Sequence, residues 1–330
     1  MTAARAPRRR PATRTRRWML AADLGGTKIA VARVSPRGLV RDRRVIPTPR
    51  AGGDAVVAAL RDALRALPQA GACAIAVGVP GLARRDGSVW APNLPGWKRM
   101  PLARRLRAAF RLPVLVESDR NTFIAGEVWR GAARGVQDAI LVVVGTGIGA
   151  GILSGGRLLR GHGDLAGCIG WLVVPAAAGG LGRDAAAAMR RCGCLEFQAA
   201  GPGIAAAAER TFGRQMDARQ LARLAQGGDA RARQVLSAAG EALGMGLANL
   251  VSTLNPEVIV MAGGVTGAGR GLLAPAIRSM RRWAQPLAAR QVRLRRSRLG
   301  ARAGLLGAAY LAWQMVAPEV VFPRGGGNTI

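Results

Sequence analysis

The residues with chemistry to offer sit at the ends of apolar runs. Trp18-Met19-Leu20-Ala21-Ala22 reads as a strand and leads into Asp23-Leu24-Gly25-Gly26-Thr27-Lys28, an acid, two glycines and a hydroxyl at a strand end. A second run, Ala139 to Val144, opens on Gly145-Thr146-Gly147-Ile148-Gly149-Ala150-Gly151 and continues into Ile152-Leu153. Glycine lets successive backbone N–H groups approach an anion with no Cβ in the way, so each turn can cradle phosphate, with Thr27 and Thr146 adding hydroxyl donors. Asp23 is the kind of hard oxygen ligand that Mg²⁺ takes, directly or through its waters. Lys28 has two readings, a phosphate contact or a solvated strand-end charge. A third apolar run, Leu112 to Val116, ends at Glu117-Ser118-Asp119, placing Asp119 where a strand gives way to a helix expected over Asn121 to Arg130. A carboxylate there can take the proton of an attacking hydroxyl, or it can simply cap the helix.

Together these groups suit phosphoryl transfer, which needs a proton acceptor, charge neutralisation and positioning more than covalent help. The order and spacing of elements disfavour two familiar nucleotide folds. A dinucleotide fingerprint needs strand, turn and helix, whereas strand follows Gly145 to Gly151, so a β-hairpin is expected. Neither turn has the GxxxxGK[ST] spacing of a P-loop. A further element, Leu254-Asn255-Pro256-Glu257-Val258-Ile259-Val260-Met261-Ala262-Gly263-Gly264-Val265, reads as a helix end, a Pro-marked turn, a strand and a Gly pair against which adenosine can lie.

The paired phosphate turns resemble those of the actin-like ATPase fold of sugar kinases. Over roughly residues 18 to 318 the chain resembles the ROK family of repressors and sugar kinases, which includes bacterial glucokinases. Gly78-Val79-Pro80-Gly81, Ala91-Pro92-Asn93-Leu94-Pro95-Gly96-Trp97 and Glu117-Ser118-Asp119-Arg120-Asn121 look like the family's substrate-side loops in their usual order. The resemblance implies an α/β, two-domain, ribonuclease H-like fold with an interdomain cleft, ATP and Mg²⁺ as cofactors, a small-molecule sugar as substrate, and a homodimer. Asp119 would be the general base. Asp23, Gly25, Gly26, Thr27, Lys28, Gly145, Thr146 and Gly147 would hold the triphosphate and its metal, and Gly263 and Gly264 would flank adenosine. Gly81, Asn93, Ser118, Asp119 and Glu196 would meet the sugar.

The sugar side departs from that pattern. Ser118 stands where the family usually has Asn, and Cys168 and Trp171 stand in Ala166 to Trp171 where AGEIGH has Glu and His. Trp171 would either fill the space of a missing zinc or offer a sugar an apolar face. The zinc motif CxCGxxGCLE reads AAMRRCGCLE over Ala187 to Glu196, so zinc is not expected: only Cys194 aligns with a ligand, and a tetrahedral site needs four. Losing acceptors for hydroxyls weakens discrimination for the usual sugar, or redirects it. A catalytically weakened sugar- or nucleotide-binding regulator is therefore the alternative to a hexose kinase.

Length and charge bound these readings. At 330 residues, half of them hydrophobic, the chain can bury two cores. The expected division is a basic disordered arm over 1–17, a small domain over 18–117 plus 300–318, a larger domain over 118–299, and a loose tail over 319–330. The formal charge of +31 invites polyanions, yet 47 of the 49 basic residues are Arg spread along the whole chain, so nucleic acid is expected only through weak, non-specific, salt-sensitive attraction. A lone histidine, His162, reads as solvated. The four cysteines follow no disulfide framework, which suits a reducing cytoplasm. The longest apolar stretch is read as Gly304 to Val316, shorter than the roughly 20 residues a bilayer span needs, so no membrane partner is expected.

Overall fold

The computed structural model describes residues 17–176 and 185–318; most of the basic arm and all of the tail lie outside the described residues. The first half runs β1 (Trp18–Leu24), β2 (Lys28–Val34), β3 (Val40–Pro47), α1 (Gly53–Arg65), β4 (Ala72–Val79), β5 (Leu82–Ala83), β6 (Val89–Trp90), α2 (Leu102–Phe110) and β7 (Val114–Ser118), and ends in α3 (Asp119–Arg130). The second runs β8 (Ala139–Val144), β9 (Ile148–Ser154), β10 (Arg157–Leu158), α4 (Ala185–Cys192), α5 (Cys194–Ala199), α6 (Gly201–Phe212), α7 (Ala218–Gln226), α8 (Ala230–Leu254), β11 (Val258–Ala262), α9 (Arg270–Trp283), α10 (Pro286–Gln291) and β12 (Arg293–Arg296); α11 (Ala303–Val316) follows. The sheets have the same order, β3-β2-β1-β4-β7 and β10-β9-β8-β11-β12. In each, the first two strands form an antiparallel hairpin and the strand beside the hairpin is parallel to its first arm. This is the two-domain actin-like ATPase fold expected from the sequence.

Strand alternation decides what each face meets. Leu20, Ala22 and Leu24 pack with Leu60 and Leu64 of α1 and Leu106 of α2. Met19 and Ala21 pack with Leu305 and Ala309 of α11 and Ala125 and Trp129 of α3. Asp23 is next in that odd series, so its carboxylate turns toward α11. The second sheet splits likewise: Ile140 and Val142 join the large helical core around α8, while Leu141, Val258 and Val260 meet Ile124 of α3. Helix α3 therefore contributes to the cores on both sides of the cleft.

Glycines permit the tight crossing there. A Cβ on Gly307 would strike the Thr122 carbonyl, and one on Gly304 would lie 2.5 Å from the Asp23 carboxyl carbon. Buried Glu127 fixes the far end of α3, accepting from Ala132 N–H at 2.6 Å, the Ser297 hydroxyl at 2.5 Å and Leu299 N–H at 3.1 Å. Helix α8 is long enough, at 25 residues, to cross a bilayer by length and composition, but 67% of its most apolar window is buried in the protein. Packed against α7 and α9, it is the central helix of the second core.

Candidate active site

Both glycine turns close hairpins, and in each the first glycine spends its own N–H on the turn. Gly25 N–H donates to Lys28 O at 2.9 Å, and Gly145 N–H to Gly147 O at 2.9 Å. Gly26 and Thr27 form the exposed tip of the first turn. Thr48 braces it, its hydroxyl donating to Gly25 O at 2.7 Å and its N–H to Thr27 O at 3.0 Å. The second turn is braced from two sides, by Gly201 N–H on Gly145 O at 2.8 Å and by Ile148 N–H on Glu196 Oε2 at 2.6 Å. Glu196 thus supports the phosphate turn with one oxygen; burial raises its pKa, and the Ile148 bond opposes that rise.

A cavity of about 640 Å³ opens beside Gly145 and Thr146, lined also by Gly201, Pro202, Ala205, Gln215, Met216, Asp217, Ala218, Arg219, Gly264 and Val265. Gly263 brings the end of β11 against the end of β8. Its φ is +96°, and a Cβ there would strike the Val144 carbonyl. No sequence motif marks the segment from Gly201 to Arg219 as part of a site. Its one local signal is the capping box of α7, in which Asp217 Oδ1 accepts from Gln220 N–H at 2.7 Å and Gln220 Oε1 accepts from Asp217 N–H at 2.8 Å.

Asp119 is the first residue of α3, with Ser118 as N-cap. Its Oδ1 accepts from Arg120 N–H at 2.7 Å, so it also serves the helix end in part. Burial pushes the Asp119 pKa up, against the opposing Arg120 charge, the Arg120 N–H and the Ser118 hydroxyl. Asp23 is pushed up to about 7, first by burial and then by the negative charge of Asp119, with Lys28 and Arg43 pulling it down. A buried carboxylate whose proton affinity is raised further by a neighbouring carboxylate suits a divalent cation, which favours the ionised form of both. The residues present therefore fit Mg²⁺. Lys28 is exposed at the start of β2 and acts on Asp23 through its charge.

Around the substrate side, β5 pairs with β6, setting Gly81 beside the loop from Ala91 to Trp97. Ala91, Leu94 and Trp97 are buried anchors of that loop, which leaves Asn93 exposed. Ser118 is buried at the end of β7. Glu117 just before it forms an ion pair with Arg160 of the second half, an inter-sheet tie absent from the sequence expectations. Burial raises the Glu117 pKa, countered first by the Arg160 charge. Trp171 is 56% exposed and so plugs nothing.

The ROK family sequence pattern matches residues 19–315. The N-acetylmannosamine kinase of Shigella flexneri is 36% identical over 300 residues, covering 89% of this chain and 98% of that protein. The chain belongs to the ROK family. Among solved ROK structures, the Thermus thermophilus hexokinase is 38% identical with a TM-score of 0.78, over 91% of this chain and 99% of that one. A Streptomyces griseus ROK glucokinase, solved with glucose and AMPPNP, is 28% identical with a TM-score of 0.72, over 90% and 99% of the two chains. These alignments span about nine-tenths of this ROK chain and nearly all of each relative.

Proposed function

We propose that this ROK protein is an ATP-dependent sugar kinase that transfers the γ-phosphoryl group to a hydroxyl of a hexose or hexose derivative. The observation that carries the reading is the pair of confined carboxylates, Asp119 and Asp23, set between two phosphate-type turns. Asp119 receives the hydroxyl proton as the new O–P bond forms. Its raised pKa brings it nearer to that task than an ordinary exposed aspartate. Asp23 would hold Mg²⁺ or its waters, and the metal, when bound, would spread the charge on the phosphates. Gly25 to Lys28 and Gly145 to Gly147 would cradle the triphosphate from opposite halves, and the cavity ending in Gly263 and Gly264 would take adenosine. Gly81, Asn93, Ser118 and the free oxygen of Glu196 would orient the sugar.

The domain boundaries near residues 118 and 300 are supported by sheet membership, with α11 returning to the first sheet. The reading without structural zinc rests on the sequence, where only Cys194 stands at a ligand position of the family's motif. A cytoplasmic homodimer follows from the family resemblance alone. The regulator reading has less behind it, because relatives matched end to end are named as kinases. The test is ADP release from ATP and Mg²⁺ across neutral and derivatised hexoses, with Asp119→Asn as control. Sugar-dependent release that disappears in the variant supports the kinase; nucleotide binding with no release for any sugar restores the regulator.

A further inference from the structure

Arg120 stands next to the reacting carboxylate, and its charge opposes the rise in the Asp119 pKa. Its backbone N–H is spent on Asp119, and its side chain runs along β9, where a Cβ on Gly149 would lie 2.8 Å from its Cδ. The guanidinium ends among weak partners: Nε–H lies 3.4 Å from Ser118 Oγ and Nη1–H lies 3.2 Å from Cys168 Sγ. Among the described residues Arg120 forms no ion pair, whereas Arg160, the other arginine at this rim, has Glu117. A guanidinium carries five N–H donors in one plane, and its fork matches carboxylate or phosphate oxygens two at a time. Facing only a hydroxyl and a thiol, it keeps donors to spare and has no strong acceptor among these contacts.

We infer that the accepting sugar carries an anionic substituent, a carboxylate or a phosphate, which Arg120 binds beside the hydroxyl that Asp119 deprotonates. This rests on the sugar-kinase reading above. The positions of Ser118 and Cys168 favour the sugar over the nucleotide as the bearer of that anion. By the family resemblance both stand at sugar-contacting positions, and a hydroxyl and a thiol compete only weakly with an anion for the guanidinium's donors. Arg120 is thus a specificity-determining residue. Its contact adds to binding only when the sugar brings the charge.

The experiment measures kcat/KM with the full chain for matched sugars: hexuronic acids, hexose 1-phosphates and 3-O-carboxyalkyl hexoses, each against the neutral hexose of the same configuration. The native protein should favour at least one anionic class about tenfold or more, the scale of a charge-assisted contact. The carboxylate and phosphate arms tell the two sources apart. In Arg120→Gln that ratio should fall to about one, and Arg120→Lys should keep part of it. A thermal melt of each variant confirms that the fold survives. The inference is overturned if every native ratio is one or less, if the preference survives Arg120→Gln, or if that variant lowers kcat equally for both members of a pair, which would assign Arg120 to the γ-phosphate. Asp119-dependent turnover of neutral hexoses with no anionic preference sinks this inference alone. No Asp119-dependent release with any sugar sinks the kinase reading as well.

Discussion

The two halves share a strand order and differ in what stands at the end of their hairpins. In the first, β1 ends with Asp23, whose carboxylate faces α11 and shares a confined space with Asp119. In the second, β8 ends in Val144 and Gly145 with no acid; the carboxylate that reaches the turn, Glu196, comes from α5 and is held by Ile148 N–H. One hairpin brings ionisable chemistry, the other a backbone cradle and the wall of a nucleoside-sized cavity. Repeating a scaffold therefore repeats where a turn sits, and the side chain at the strand end decides what the turn can do.

The largest expected effect comes from the acid side. Asp119→Asn should lower kcat by about 10²–10⁴-fold, the usual contribution of a general base, with the affinity for Mg²⁺·ATP close to native in calorimetric titration. On the cradle side, Gly263→Ala puts a methyl into the Val144 carbonyl at φ +96°, which should cost about 1–3 kcal/mol. Hydrogen exchange should then rise around β8 and β11 while β1 and β4 stay protected; equal loss in both halves would break the comparison.

Asp23 gives a signed pH dependence. Its pKa in the folded chain is about 7, above the ordinary 3.8, so its contribution to stability is fully present below about pH 3.8 and is lost as pH rises through 7. The metal-free protein should therefore gain several degrees in Tm at pH 8 from Asp23→Asn and nothing at pH 3.5, read by thermal melts in chelator. Mg²⁺ affinity should move the opposite way in the native protein, rising as pH climbs through 7 and Asp23 ionises. The smallest effect is expected from Glu196→Gln, which keeps an oxygen for Ile148 N–H but loses the charge. It should cost about 1 kcal/mol in stability and raise the sugar KM a few-fold with little change in kcat.

Much of the scaffold was legible in the sequence because its signals are local. Apolar runs ending in glycine turns gave both hairpins, and the run before Glu117-Ser118-Asp119 gave the strand-to-helix junction. Signals made by distant residues were not legible. The resemblance pointed to Glu196 as a sugar contact, but nothing local shows that its carboxylate braces the second turn, nor that Arg160 meets Glu117. The same holds for the Gly201 to Arg219 wall of the cavity beside Gly145, whose residues share no spacing rule. Helix α8 was legible as a helical stretch, and its buried face from Ala232 to Val251 supplies the second core.

The most direct test of the division of labour between the carboxylates is a paired measurement on Asp119→Asn and Asp23→Asn: the Kd of Mg²⁺·ATP and the single-turnover rate of phosphoryl transfer to sugar, from the same preparations. Asp119→Asn should keep the nucleotide and lose the transfer step. Asp23→Asn should weaken Mg²⁺·ATP, with part of the rate recovered at high Mg²⁺. Transfer by Asp119→Asn within about tenfold of native, against the 10²–10⁴-fold expected of a lost base, would contradict the account, as would equal loss of nucleotide from both variants.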